Sequence, residues 1–99
     1  MNVVLTVAAR GRFREALKFS RGYMTAREAR KVNAEVRKAL RYLEGHPVWG
    51  ATEDLMGGSR YRYRRIIVGH IKIIYRVGRT IIHVTDIFDS RQDPGKMKG

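Results

Sequence analysis

The chain has 99 residues, no cysteine, and 21 lysines and arginines against 9 aspartates and glutamates, which give a formal net charge of +12. This length predicts one domain over residues 1–99, and the missing cysteines exclude disulfides and zinc–thiolate sites. No apolar run reaches the roughly 20 residues that span a bilayer, and the N-terminal residues lack a signal-peptide pattern. We therefore expect a cytoplasmic protein that contacts no membrane, with nucleic acid or an acidic protein as its partner.

The first half of the chain predicts one strand followed by two helices. Residues 2–7, NVVLTV, are short and β-branched, as in a strand. Residues 8–23 then carry apolar side chains at helical spacing, and Gly22 is suited to end that helix. Thr25 and Glu28 form a capping box at the start of a second helix, which ends at Gly45 and Pro47. Its apolar stripe comprises Ala29, Val32, Val36, Ala39, Leu40 and Leu43. We expect the two helices to form an antiparallel hairpin on a sheet.

The second half predicts a loop and then three strands. Residues 45–60 are predicted to form the loop, in which Trp49 is expected to pack into a corner of the core. Residues 61–94 alternate apolar and basic side chains, with a glycine-centred turn after each of the first two strands. This pattern predicts a sheet with one apolar face and one cationic face.

A two-residue loop at Gly78 and Arg79 would pair Val77 with Thr80 and register the last two strands. The predicted core face then carries Ile73, Tyr75, Val77, Ile82 and Val84. The predicted open face carries Lys72, Arg76 and His83, because side chains alternate between faces with a period of two. In the preceding strand, Arg62 and Arg64 share a face.

Five cations form the main candidate site: Arg62, Arg64, Lys72, Arg76 and Arg91. Guanidinium groups present paired donors to phosphate and keep their charge. On one sheet face they could hold an RNA backbone or stabilise a phosphoryl-transfer transition state. A solvated cationic face explains the spacing equally well, and the sequence alone leaves both interpretations open.

Histidine and aspartate offer weaker candidates. His70 and His83 could serve in acid–base catalysis, but no neighbouring group forms a recognisable relay, which favours ordinary surface histidines. Asp86, Asp89 and Asp93 could bind a divalent metal, although acids that alternate with arginine at a strand end are more typical of ion pairs and turn caps. We therefore expect no metal and no cofactor. Tyr61, Tyr63 and Tyr75 fit base stacking or half-buried packing equally well.

Three segments together resemble the RelE/ParE superfamily of type II toxin–antitoxin toxins, and in particular its ParE-like, plasmid-stabilisation branch. They are RYLEGHPVWG at 41–50, SRYRYRRIIVGHIKIIYRV at 59–77 and IIHVTDIFDSRQDP at 81–94. The resemblance covers most of the chain. It implies an α+β fold in the order β-α-α-β-β-β, with a small antiparallel-rich sheet packed against an α-helical hairpin. It also implies a bacterial protein that blocks growth when freed from a cognate antitoxin.

The resemblance implies two modes of action. ParE-like members poison DNA gyrase, whereas RelE-like members cleave mRNA on the ribosome with basic residues that correspond here to Arg62, Arg64, Lys72 and Arg91. The tail at 90–99 has neither the tyrosine nor the histidine that the nucleases place after the last strand. We therefore predict a toxin that binds a protein target such as gyrase. The alternatives are a ribosome-dependent mRNA endonuclease and a non-toxic nucleic-acid-binding module.

The resemblance also implies a binding face and a partner. The candidate binding residues are Arg62, Arg64, Lys72, Arg76, His83 and Arg91. The expected antitoxin carries an acidic, partly disordered segment that folds on the toxin, and this segment would reduce the charge repulsion on the basic face.

Overall fold

The structure, a computed structural model, describes residues 1–53 and 61–92. Two helices pack against one face of a five-stranded mixed sheet, which confirms the predicted α+β fold. The elements in chain order are β1 (Asn2–Leu5), α1 (Val7–Ser20), α2 (Ala26–Gly45), β2 (Ala51–Thr52), β3 (Arg64–Val68), β4 (Ile71–Val77) and β5 (Ile81–Asp89). The short β2 lies in the region that the sequence predicted to be loop.

The strands are ordered β1-β5-β4-β3-β2 across the sheet. β1 pairs with β5 in parallel, and the other neighbours are antiparallel. β1 ends two residues before the predicted boundary because Thr6 is the N-cap of α1. Its hydroxyl accepts a hydrogen bond from the Ala9 N–H at 3.0 Å, which fixes the start of the helix at Val7.

The capping box at the start of α2 forms as predicted. The Glu28 N–H donates to the Thr25 hydroxyl at 3.1 Å, and the Thr25 N–H donates to the Glu28 carboxylate at 3.2 Å. The backbone hydrogen bond from Thr25 lowers the pKa of Glu28. The predicted apolar stripe faces the sheet, with Val32 and Leu40 only partly buried. Within the described residues, no helix combines the length and apolarity needed to cross a membrane.

The turns between the last three strands differ from each other. Val68 pairs with Ile71 across a two-residue turn in which Gly69 has a φ of +59°, a conformation that glycine adopts without strain. The predicted pairing of Val77 with Thr80 is wrong, because Val77 pairs with Ile82.

The longer β4–β5 turn is closed by the Gly78 N–H, which donates to the Ile81 carbonyl at 2.8 Å. A Cβ at Gly78 would lie 2.8 Å from that oxygen, so the close approach requires glycine. The register therefore shifts by two residues, which leaves the side chains of β4, and those of β5 up to Val84, on their predicted faces.

A β-bulge in β5 changes the faces of the residues that follow it. Tyr75 pairs with Val84, whereas the preceding Ile74 pairs with Asp86, so Thr85 is the extra residue. Before the bulge, Ile82 and Val84 face the helices. After it, Ile87 and Asp89 face them, while Asp86 and Phe88 point to the opposite side.

The main core lies between the helices and the sheet. Its buried members are Ala9, Phe13, Ala16, Val36, Ala39, Leu43, Ile66, Ile71, Ile73, Tyr75, Ile82, Val84 and Ile87. Val77 was predicted to belong to it but is 39% exposed, because it lies at the end of β4. A second, smaller cluster of Tyr63, Ile74 and Phe88 is buried on the opposite face, where the sequence predicted an open cationic surface.

Replacing Leu43 by alanine should lower the free energy of unfolding by about 2–5 kcal/mol, since its side chain is fully buried and would leave a cavity. Leu40→Ala should cost less than Leu43→Ala, because Leu40 is only partly buried. Urea denaturation of both variants measures the two costs. An equal loss in both variants would contradict the burial that separates the two leucines.

Candidate functional site

Lys72, Arg76 and His83 lie on the sheet face opposite the helices, as the alternation predicts. Lys72 pairs with Phe88 in the sheet, and Arg76 pairs with His83. The sequence predicted that the positive charges on this face would be free to bind a ligand. Their contacts instead show that most are already engaged within the protein.

Lys72 is neutralised by a buried carboxylate. Its Nζ lies 2.7 Å from Glu53 Oε2, and the two side chains are only 13% and 2% exposed. The ammonium group also lies 6.0 Å from the centre of the Phe88 ring. Lys72 therefore covers the second apolar cluster and holds the end of the connection after β2 against the sheet.

Arg12 extends from α1 and contacts the same cluster. This residue of α1 pairs with the fully buried Asp86, with its Nε 3.1 Å from Oδ1 and its Nη2 3.4 Å from Oδ2. Its guanidinium carbon lies 5.8 Å from the centre of the Phe88 ring. The pair joins α1 to the part of β5 that follows the bulge.

Arg76 and His83 contact their own surroundings less tightly. The Arg76 guanidinium carbon lies 4.3 Å from the centre of the Tyr61 ring, a cation–π contact. The His83 ring lies close to the backbone of Gly78, where an added Cβ would be 3.1 Å from Nε2. Both side chains remain partly exposed and keep the capacity to contact a partner.

Arg64 does not share a face with Lys72 and Arg76, which corrects the predicted cluster. It pairs with Tyr75 in the sheet and so lies on the helix side. Its Nη1 donates to the Gly50 carbonyl at 2.7 Å and to the Val48 carbonyl at 3.4 Å. Its neighbour Arg65, which the sequence did not single out, lies on the opposite face and donates to the Thr52 carbonyl.

Arg91 also lies on the helix side, in an ion pair with Asp89. Its Nε and Nη2 reach the two carboxylate oxygens at 2.9 and 2.6 Å, and its guanidinium carbon lies 4.1 Å from the centre of the Tyr23 ring. Ser20 donates to the same carboxylate at 2.8 Å. These contacts, defined here as the Asp89 clamp, tie the end of β5 to the turn between the helices.

The clamp shifts the titration of both partners. Burial alone would raise the pKa of Asp89, but the hydrogen bonds from Arg91 and Ser20 outweigh it and lower that pKa. The hydrogen bond to Asp89 raises the pKa of Arg91 in turn. Asp89 is therefore held as a carboxylate at neutral pH.

The four residues predicted for RNA cleavage are not brought together. Lys72 lies on one face with its charge paired, Arg64 and Arg91 lie on the other, and Arg62 is exposed in the segment before β3. Asp86 and Asp89 likewise point to opposite faces, and Asp93 lies outside the described residues. Among residues 1–53 and 61–92, no group of three histidine or acidic side chains could hold a metal ion.

An exposed group of apolar side chains lies at the end of α2 and in the loop after it. Tyr42, Val48 and Trp49 are 48%, 67% and 47% exposed. The Tyr42 ring stacks on the His46 ring, with ring centres 3.9 Å apart. The Trp49 ring lies edge-on to the Tyr42 ring, with ring centres 4.8 Å apart. We call Tyr42, His46, Val48 and Trp49 the aromatic surface. Trp49 was predicted to pack into the core, and that prediction is wrong.

The loop behind the aromatic surface is fixed from the core. The Tyr75 hydroxyl donates to the Pro47 carbonyl and accepts from the Gly50 N–H, both at 2.9 Å. Burial raises the pKa of this hydroxyl, against the opposing effects of the Gly50 N–H and Arg64. A Cβ at Gly50 would lie 2.6 Å from the Arg65 carbonyl oxygen, so the loop approaches the sheet too closely for any other residue. The exposure of Tyr42 could have been predicted from the sequence, since this residue lies outside the apolar stripe of α2.

A groove of about 490 Å³ lies between β1 and the two helices. Its apolar lining includes Val3, Leu5, Phe13 and Leu40, and its cationic lining comprises Arg10, Arg14 and Arg37. Because β1 is at the edge of the sheet, its outer backbone groups pair with no strand in the described part of the chain. The groove could therefore take an extended or helical segment with apolar and acidic side chains.

Comparison with known families assigns the chain to a protein family. The model of the ParE toxin of the type II toxin–antitoxin system parDE matches residues 3–94. The chain belongs to this family. Among curated protein sequences, none matches this toxin.

The fold of the toxin is also found in a solved structure. It is similar to a chain of the chromosomal ParDE toxin–antitoxin system from P. aeruginosa, with a TM-score of 0.70 and 14% sequence identity. The match covers 90% of this toxin and 95% of that chain. The family assignment and the shared fold agree with the resemblance seen in the sequence.

Replacing Asp89 by asparagine should destabilise the toxin by about 1–3 kcal/mol at pH 7, because Arg91 loses its buried anion. The folded-state pKa of Asp89 is lowered from its ordinary value of 3.8. The stabilisation is therefore complete above that value and is lost as the pH falls through the folded-state pKa.

Urea denaturation between pH 3 and pH 7 tests this expectation. The difference between the wild-type protein and Asp89→Asn should be largest at neutral pH and should shrink below about pH 4. Ser90→Ala, an exposed neighbour, is the control and should follow the wild-type profile. A difference that is constant with pH would show that the clamp does not depend on the Asp89 charge.

Proposed function

We propose that this toxin arrests growth in the cytoplasm by binding a protein target, with DNA gyrase as the first candidate. The observation that carries the proposal is the separation of Arg62, Arg64, Lys72 and Arg91. In-line RNA cleavage needs charged groups that converge on one phosphate, and here Lys72 is paired with Glu53 while Arg91 is paired with Asp89. A protein-binding mode requires no such convergence.

The aromatic surface supports the same proposal. Large aromatic residues that are exposed and held in a fixed geometry are typical of the central contacts of protein interfaces. Tyr75 and Arg64 hold the loop that carries Val48 and Trp49, so little conformational entropy remains to be lost when a partner binds. This surface offers a protein target rigid apolar contacts.

We further propose that a cognate antitoxin with an acidic segment neutralises the toxin. The similar chain from P. aeruginosa belongs to a ParDE toxin–antitoxin system, and the groove beside β1 combines an apolar lining with the positive charges of Arg10, Arg14 and Arg37. An amphipathic acidic segment would complement both features.

Expression of the toxin without a partner tests the proposed function. We expect growth arrest with DNA breaks and an induced SOS response, inhibition of purified gyrase, and rescue when the antitoxin is co-expressed. mRNA cut at ribosomal A-site codons would instead support the ribonuclease alternative and overturn the proposed target. Unimpaired growth would contradict both toxin mechanisms and favour the non-toxic nucleic-acid-binding module.

The double variant Tyr42→Ala with Trp49→Ala tests the aromatic surface. We expect toxicity and gyrase inhibition to fall by more than about tenfold, since loss of an interface anchor costs about 2 kcal/mol or more. The midpoint of thermal unfolding should change little, because both rings are about half exposed.

Val7→Ala is the matched control, since Val7 is 89% exposed on α1 and should keep full toxicity. Full toxicity of the double variant, with folding intact, would remove the aromatic surface from the contact with the target.

A further inference from the structure

The helices carry most of the net charge, and that charge is not neutralised within the protein. Residues 7–45 contain 11 lysines and arginines but only 4 glutamates, a net charge of +7. Apart from Arg12, these cations are all exposed, and none forms an ion pair within the part of the chain that the structure describes. On the sheet, by contrast, Lys72 and Arg91 are each paired with a buried acid.

Five of these helical cations line one side of α2. They are Arg27, Arg30, Lys31, Lys38 and Arg41, and we call them the cationic stripe. At 3.6 residues per turn they fall within about 60° of one direction, which is opposite to the buried Ala29, Val36 and Leu43. The stripe is about 21 Å long at 1.5 Å per residue. The exposed Ala34 lies in its middle, so no large side chain interrupts it.

Such a stripe weakens the isolated helix. Arg27 and Lys31 are four residues apart, and Lys38 and Arg41 are three apart, so like charges face each other at spacings that destabilise a helix. Glu28 and Glu35, three and four residues from Lys31, lie beside the stripe and offset part of this repulsion. A polyanion that bound along α2 would remove it.

We propose that the cationic stripe of α2 binds the phosphate backbone of double-stranded DNA. Each strand of a duplex presents one phosphate about every 3.4 Å along its axis, so a stripe of this length spans about six base pairs, and its five cations can reach phosphates of both strands. No aromatic residue lies on α2 between Arg27 and Arg41, and Tyr42 and Trp49 adjoin the stripe at Lys38. Most of the stripe therefore lacks a ring on which unpaired bases could stack, which favours a duplex over a single strand. Contacts to phosphate alone carry no sequence information, so the binding should be independent of sequence.

This inference concerns a surface that the proposed target does not require. It uses none of the four residues of the aromatic surface, although Lys38 lies beside Tyr42 and Trp49. It also does not use the groove beside β1 or the candidate residues of the sheet. DNA binding can therefore be measured on the purified full-length toxin without reference to toxicity, and its failure would leave the proposed function untouched.

Fluorescence anisotropy with a labelled 20-base-pair duplex of arbitrary sequence, over a series of salt concentrations, tests the proposal. The variant replaces Arg27, Lys31 and Lys38 by glutamine, which preserves helix propensity. The matched control removes the same charge elsewhere, by glutamine at the exposed residues Lys18, Arg21 and Arg79. Circular dichroism of both variants verifies that the helices remain folded.

We expect the wild-type toxin to bind duplexes of different sequence with similar affinity. The slope of log K against log salt should be shallower by about 2.7 in the stripe variant, at about 0.9 per lost phosphate contact. The affinity of the stripe variant should fall at least about tenfold, while the control changes much less.

Equal losses of DNA affinity in the stripe variant and the control would overturn the proposal, since they would show that the duplex responds only to the net charge of the toxin. An undetectable wild-type affinity for duplex DNA would overturn it as well. The toxin could also bind a polyglutamate peptide more tightly than duplex DNA, with an affinity that the stripe variant loses. That result would overturn the proposal and assign the stripe to an acidic protein.

Discussion

The β-bulge in β5 determines which residues this fold can use on each of its faces. The extra residue, Thr85, places Asp86 and Phe88 on one side of the sheet and Ile87 and Asp89 on the other. A strand without the bulge would direct Asp86 into the apolar core, where an ionised carboxylate without a partner is unfavourable. The bulge thus lets each aspartate meet its own arginine, Arg12 for Asp86 and Arg91 for Asp89.

The two aspartate pairs explain how so basic a chain keeps a compact sheet. Three cations are used internally, because Lys72 of β4, Arg91 just after β5 and Arg12 of α1 each pair with a buried acid. The sheet face is therefore largely a second core, with Phe88 beneath Arg12 and Lys72. The excess positive charge is displaced to the helices, where water screens it and a partner can reach it.

The connection between α2 and the sheet links the core to a candidate interaction surface. Tyr75 and Arg64 direct the backbone of Pro47 and Gly50 inward, and this leaves Val48 and Trp49 pointing outward. A tyrosine hydroxyl that bridges two backbone groups is costly to disturb, because the buried Gly50 N–H would be left without its partner. The exposed aromatic residues therefore have a fixed position, which suits recognition of another protein.

Local signals in the sequence predicted much of the fold. The capping box at Thr25 and the stripe along α2 predicted that helix, and the alternation in β4 placed Lys72 and Arg76 away from the helices. The resemblance led to the ParE toxin family, which the family model confirms. These features depend on spacing within one element, and such spacing can be read directly from the residues.

The candidate site could not be predicted from the spacing of residues within one element. Spacing suggested one cluster of cations, but the partner of Lys72 is Glu53, which is distant in the sequence. Only Arg91 in that cluster pairs locally, with Asp89, as acids that alternate with arginine at a strand end indicated. The step from Val84 to Ile87 does break the alternation of apolar residues, and it was the one sequence signal of the bulge. The sequence by itself determined both helices, the four longer strands, the family and the excess of charge. Only the tertiary structure decided how charges distant in the sequence are paired, as with Arg12 and Asp86, because such pairing depends on distances across strands and helices.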